Sequence, residues 1–178
     1  NILLADNLIK GGRLVAKVSD FGLSKRFYNT LTYEKENRLF VPWKWMALEF
    51  LTCDFLTLSS DVWSFGIVLW EILSFGRIPY GHAHLTEVLE QLEDGYRLPW
   101  PSEVKKVSRW SPEILSKALS TLCFKADPED RATFPDVVQI IEKHFTAEEL
   151  QLIADMSQTY ESKWCIPYLK LGSQRSIE

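Results

Sequence analysis

The stretch between Ser60 and Gly76 limits the fold of this chain more than any other. Val62, Trp63, Phe65, Ile67, Val68, Leu69, Trp70, Ile72 and Leu73 leave it almost no polar face. A helix that is apolar nearly all round needs cover on every side and belongs at the centre of its domain. Ser60 is of a type that caps a helix start, and Gly76 suits the position just past an end. The rest of the chain must therefore supply elements that wrap this helix. With 178 residues, 46% of them hydrophobic and 25% charged, it has the length and balance of one globular domain. That balance excludes disorder over most of the length.

Helical periodicity continues beyond the central segment. Leu85, Val88, Leu89 and Leu92 form an i, i+3, i+4, i+7 stripe that stops at Gly95. Ser111 followed by Pro112 reads as an N-cap with Pro at the first helical position, ahead of Ile114, Leu115, Ala118, Leu119 and Leu122. Thr133 precedes a further helix with Val137, Val138, Ile140 and Ile141. Thr146 and Glu149 make a capping box for a last helix over about 147–157, and the tail after Ser162 is irregular. The start of the chain differs. Residues 1–4 and 14–18 read as short strands, and Gly11-Gly12 between them predicts a β-hairpin. Residues 24–40 are polar and aperiodic, an exposed loop of a length that is usually functional. The expected order is hairpin, long loop, helical bundle.

Composition narrows the function. Lys plus Arg is 20 against 24 for Asp plus Glu, a net charge of -4, which speaks against a nucleic-acid partner. Cys53, Cys123 and Cys165 have no metal-ligand spacing and read as free thiols of a reducing compartment. No run reaches the roughly 18 apolar residues of a membrane span. His82, His84 and His144 read as surface or structural residues, and Trp45, Trp63 and Trp70 as core.

The chemistry points to Asp20-Phe21-Gly22. These residues follow a strand and precede the long loop, with Asn1 upstream on the neighbouring strand. A carboxylate and an amide oxygen at adjoining strand ends can share a hard cation. Mg²⁺ takes one or two oxygen ligands from protein and the remainder from phosphates and water. Phe21 is expected to plug an apolar slot and so aim Asp20, and Gly22 to permit the sharp turn. The alternative for Asp20 is a surface turn carboxylate, and for Asn1 a plain turn residue.

These residues resemble the protein kinase family, most closely its receptor tyrosine kinases. Asn1-Ile2-Leu3-Leu4 is similar to the end of the catalytic loop and the strand after it, and Asp20-Phe21-Gly22 to the D-F-G motif. Ala47-Leu48-Glu49 resembles A-P-E with Leu for Pro, and Asp61-Val62-Trp63-Ser64-Phe65-Gly66 the buried central helix. Arg131 matches the late Arg that pairs with the A-P-E Glu. Val41-Pro42-Trp43-Lys44-Trp45-Met46-Ala47 resembles the tyrosine-kinase platform P-x-K/R-W-M-A, where serine/threonine kinases tend to carry G-T-x-x-Y.

The resemblance implies an α+β protein kinase-like fold, C-terminal lobe only. It would be mostly α-helical, with a small hairpin and a long activation loop. It implies a partial kinase domain over 1–145, with the activation segment at about 20–49, and a C-terminal helix and tail over 146–178. The implied activity is transfer of the ATP γ-phosphoryl group to protein tyrosine, with ATP and Mg²⁺ as cofactors. Asn1 and Asp20 would hold the metal, and Leu3 would form part of the adenine floor. Pro42, Lys44 and Trp45 would form the substrate platform, Pro42 selecting a long phenol. Glu49 and Arg131 would be a buried ion pair.

Tyr28 and Tyr33 would be phosphorylated in the activation loop, near Lys25, Arg26, Lys35 and Arg38. Their distances from Asp20 resemble those of loop tyrosines in insulin-receptor-like kinases, and Tyr33 also fits the platelet-derived growth factor receptor-like group. The receptor assignment implies dimers and a place on the cytoplasmic side of the plasma membrane. Tyr160 and Tyr168 are expected either as docking sites for phosphotyrosine-reading domains or as ordinary aromatic anchors. The catalytic base of H-R-D-x-x-x-x-N precedes the Asn, so residues 1–178 are expected to be a fragment, inactive alone and exposing apolar surface. Three other readings stand beside this one: a pseudokinase scaffold, a cytoplasmic tyrosine kinase and a tyrosine-kinase-like serine/threonine kinase. Departures from the family are the long segment from Ala5 to Gly12, Leu48 for Pro, and Phe124 where tyrosine kinases usually carry Trp.

Overall fold

A computed structural model describes residues 1–7, 13–24, 41–99, 101, 121–143, 145–148 and 150–151, with the backbone alone at 5–7 and 13. The chain divides into two units, Asn1–Leu31 and Thr32–Glu178. The expected loop over 24–40 lies outside the described residues except for Ser24. So do the helix predicted after Ser111, save its end at 121–123, and most of the tail.

In the first unit β1 (Ile2–Asn7) pairs antiparallel with β2 (Arg13–Val18), in a register running from Ile2 opposite Val18 to Asn7 opposite Arg13. The hairpin is the expected one, but its strands are longer. Ala5, Asp6 and Asn7 continue the ladder as far as the Asn7–Arg13 pair. Backbone pairing needs only extended φ and ψ, so a strand can outrun its apolar stretch. A short 3-10 turn, Phe21–Leu23, follows.

The second unit begins, among the described residues, with a 3-10 turn at Trp43–Trp45 and the short helix α1 (Leu48–Cys53). Leu48, in the place of the family Pro, takes the first helical position. The central helix α2 runs Leu58–Leu73. Its cap is Thr57, not Ser60. The Ser60 N–H donates to Thr57 Oγ1 at 3.2 Å, and the Thr57 N–H donates to Ser60 Oγ at 3.0 Å. Both residues are good caps by type. Ser60 lies one turn into the helix, where its hydroxyl also donates to Glu49.

The end of α2 is a Schellman motif: Gly76 N–H donates to Glu71 C=O at 2.9 Å and Phe75 N–H to Ile72 C=O at 3.1 Å. The left-handed position usually given to Gly is held by Phe75, with φ 57°. Helix α3 (Leu85–Glu93) ends in the same motif with Gly95, φ 90°, in that position. Helix α4 (Phe134–Glu142) starts from a Thr133–Asp136 capping box, in which Thr133 Oγ1 donates to Asp136 Oδ2 at 2.7 Å. Residues 147, 148, 150 and 151 are helical, as the last stripe predicts.

The core gathers on one face of α2. Val62, Trp63, Ile67 and Trp70 pack with Val88 and Leu92 of α3, Val137 of α4, and Cys123 and Phe124. The ring of Phe124 meets Trp63 edge-on at 5.2 Å. At Gly66 a Cβ would come within 2.8 Å of Cys123 Cβ and 2.9 Å of the Phe124 ring, so only glycine admits this approach. The expectation that α2 is buried all round does not hold. Leu58 and Ile72 are exposed, and so is Phe75 just beyond. Apolar residues report a capacity for burial; which of them are covered depends on neighbours distant in sequence.

Candidate active site

Asn1 and Asp20 meet at the open end of the hairpin. Ser19 N–H donates to Asn1 C=O at 3.0 Å, which carries the strand register one step past the Ile2–Val18 pair. Asn1 Nδ2 then donates to Asp20 Oδ2 at 2.7 Å. Asp20 is left-handed, with φ 63° and ψ 73°. Asp is one of the few L residues that visits this region readily, because its short carboxylate bonds locally. Here Oδ1 accepts from Gly22 N–H at 3.5 Å. The sharp turn predicted at Gly22 is thus made by Asp20, and Gly22 is not among the positive-φ residues. Phe21 fills no slot within this unit: it is 68% exposed. A two-stranded sheet has no second layer to receive the ring. Leu3 lies on β1 with its side chain exposed.

The chemistry of this pair suits Mg²⁺. It offers one carboxylate and one amide, hard oxygen donors with no soft ligand, both open to solvent on adjoining chain segments. Among the described residues no group of three or more His, Cys, Asp or Glu is arranged to hold a metal. A two-ligand site of this kind leaves most of the coordination sphere to phosphate and water.

The second unit carries the platform residues. Pro42 precedes the Trp43–Trp45 turn and is exposed. Trp45 is fastened to α2 twice: its Nε1–H donates to Glu71 Oε2 at 3.2 Å, and its carbonyl accepts from Ser64 Oγ at 2.8 Å. Lys44 Nζ donates to the Gly81 carbonyl and lies 5.4 Å from the centre of the Trp43 ring. Ser64, Glu71 and Gly81 were not singled out from sequence as partners of the platform. For Ser64 and Glu71 the available signal is a polar side chain in an otherwise apolar helix; Gly81 acts through its backbone carbonyl and offers none.

Glu49 and Arg131 form a two-pronged ion pair, Nη1 to Oε1 at 2.8 Å and Nη2 to Oε2 at 2.9 Å, with Arg131 only 4% and Glu49 9% exposed. Arg131 also donates to the carbonyls of Lys125, from Nε and Nη2, and of Ser59, from Nη1. Ser60 Oγ donates to Glu49 Oε1 at 2.7 Å. Burial alone would raise the Glu49 carboxyl, but the hydrogen bonds from Arg131 and Ser60 outweigh it and hold the group below its usual range. The guanidinium groups of Arg131 and Arg97 each lie 5.2 Å from the Trp63 ring, so the pair is keyed into the core. Tyr28, Tyr33, Tyr160 and Tyr168 lie outside the described residues.

Residues 1–141 match the family model of protein tyrosine and serine/threonine kinases, and the chain belongs to that family. It is 36% identical over 149 residues to tyrosine protein-kinase src-1 of Caenorhabditis elegans, an alignment covering 84% of this chain and 26% of that protein. The chain thus spans about a quarter of the length of the curated relative it matches. Among the described residues no helix is long and apolar enough to cross a membrane.

Proposed function

We propose that the protein of which this chain forms part transfers the γ-phosphoryl group of ATP to tyrosine in protein substrates. The observation that carries this reading is the Asn1–Asp20 pair, an amide and a carboxylate 2.7 Å apart where two strands end. Asn1 and Asp20 would hold Mg²⁺, and Leu3 on β1 would contribute to the adenine floor. Held there, Mg²⁺ would supply positive charge against that of the phosphates. The chain's own contribution is positional: Asn1 steadies the Asp20 carboxylate, and the left-handed Asp20 turn sets where it points.

Tyrosine, as against serine, is supported by the Pro42–Trp45 platform sequence and by a relative named as a tyrosine protein kinase. In this reading exposed Pro42 lies against the long phenol ring of the acceptor. The H-R-D base is not among residues 1–178, so these residues alone do not transfer phosphate in this proposal. Tyr28 and Tyr33 are sites of regulatory phosphorylation, and Tyr160 or Tyr168 docks phosphotyrosine readers. A receptor parent, dimeric and with this region on the cytoplasmic side of the plasma membrane, rests on the spacing of Tyr28 and Tyr33 from Asp20.

The test is phosphoamino-acid analysis of a protein substrate treated with the full-length protein, Mg²⁺ and labelled ATP. Phosphotyrosine is the expected product. Phosphoserine or phosphothreonine alone refutes the acceptor, and no incorporation refutes the activity. Recovery of the full-length protein with salt-washed membranes supports the receptor parent; full recovery in the soluble fraction removes it.

A further inference from the structure

Lys44 stands in the middle of the substrate platform, where a cation is most simply read as a hook for acidic side chains. Its contacts indicate another role. Nζ is already engaged: it donates to the Gly81 carbonyl and lies over the Trp43 ring. The side chain is half-buried.

The carbonyl it reaches belongs to an unusual turn. Tyr80 and Gly81 are both left-handed, with φ 57° and 59°. Gly81 N–H closes one turn on Ile78 C=O at 3.1 Å, and Ala83 N–H closes the next on Tyr80 C=O at 3.2 Å. A Tyr in this conformation persists only where its surroundings hold it. Here Pro79 is fully buried and Tyr80 packs against the core cluster. The Gly81 carbonyl is therefore a fixed point. The other two fastenings of the platform, from Trp45 to Glu71 and Ser64, both lead to α2. The Lys44 contact adds an anchor on a separate segment, the turn before α3.

We infer that Lys44 is a positioning residue. It ties the Pro42–Trp45 platform to the 78–83 turn and so fixes where the acceptor peptide lies, without reading the peptide's charge. This rests on the tyrosine-kinase reading above. It predicts a loss that is the same for acidic and neutral peptides, because the tether is internal to the protein.

The test uses the full-length protein with Lys44→Met, Lys44→Arg and Gly81→Ala, and two tyrosine peptides differing only in Glu or Gln around the acceptor. A lost charge-assisted hydrogen bond corresponds to an effect on the order of tenfold. Lys44→Met should raise KM for both peptides by that common factor, leaving KM for ATP unchanged. Lys44→Arg, which keeps a donor, should restore most of it. Gly81→Ala strains the left-handed position that presents the carbonyl and should show the same phenotype, less than additively with Lys44→Met. A loss confined to the acidic peptide overturns the inference, as does no loss, or a fall in kcat together with a changed KM for ATP.

Amide hydrogen exchange over residues 78–84 gives a readout that needs no substrate. Lys44→Met should speed it and Lys44→Arg should not; unchanged exchange in Lys44→Met refutes the tether. A wild-type protein that phosphorylates no tyrosine sinks the functional reading, while the exchange measurement still decides the tether.

Discussion

Replacing Glu49 by Gln keeps the shape of the side chain and removes its charge. The Arg131 guanidinium would then remain 4% exposed with no counter-charge, and the NH2 of Gln would confront a donor on Arg131 or Ser60. Breaking a buried pair from one side costs about 3–5 kcal/mol. Against a typical total of roughly 5–15 kcal/mol, that is a large share of the stability. With a urea slope of about 2 kcal/mol/M, it lowers the midpoint by roughly 1.5–2.5 M. Arg131→Met should cost a similar amount. The double variant Glu49→Gln with Arg131→Met should cost less than the sum of the singles by about 2 kcal/mol, because it leaves no lone buried charge. It will not recover wild-type stability, since the Lys125 and Ser59 carbonyls lose their donor.

Acid acts on the same pair. The folded carboxyl titrates below its ordinary value of 4.5. Its stabilisation is therefore complete above that value and is lost as pH falls through the lower, folded one. In Glu49→Gln this part of the acid dependence should vanish. Single variants that each cost under about 1 kcal/mol, or strict additivity in the cycle, would refute the reasoning.

Three further outcomes follow from the packing. Gly66→Ala places a methyl within 3 Å of Cys123 and Phe124 and should destabilise by about 1–3 kcal/mol in urea melts, despite Ala's better helix propensity; a neutral or stabilising result contradicts the close approach. Phe75→Gly relieves a left-handed Phe that is 71% exposed and should stabilise by about 1 kcal/mol, read as a higher melting temperature. In the native state Cys53, which is exposed, should be alkylated by iodoacetamide well before Cys123, whose thiol burial pushes up to about 12; equal rates would mean that the core around Cys123 is open.

The hairpin and the stripes of α3 and α4 were legible because period and turn chemistry are local signals. The start of α2 was not: Thr57 and Ser60 have equal claims as caps by type, and the bond from Ser60 to Glu49, eleven positions before it, has no local signature. The pairing of Glu49 with Arg131 spans 82 positions. It became readable through family resemblance, since no local pattern encodes it. Lys44 was placed on the platform, but its bond to Gly81 depends on a left-handed turn that Tyr80 shares with Gly81. Sequence rules assign such turns to Gly, Asn or Asp. Phe21 was expected in an apolar slot because of its type, and the two-stranded unit offers none.

Asp20, paired with Asn1, is proposed above as the metal-bearing carboxylate of a tyrosine kinase. Its most direct test is tyrosine phosphorylation by the full-length protein and its Asp20→Ala variant, side by side across a Mg²⁺ titration with ATP at a fixed level. Mg²⁺-dependent phosphotyrosine is expected from the wild type, and in Asp20→Ala a loss that added Mg²⁺ does not restore, with the melting temperature unchanged. Undiminished phosphotyrosine from Asp20→Ala would contradict it.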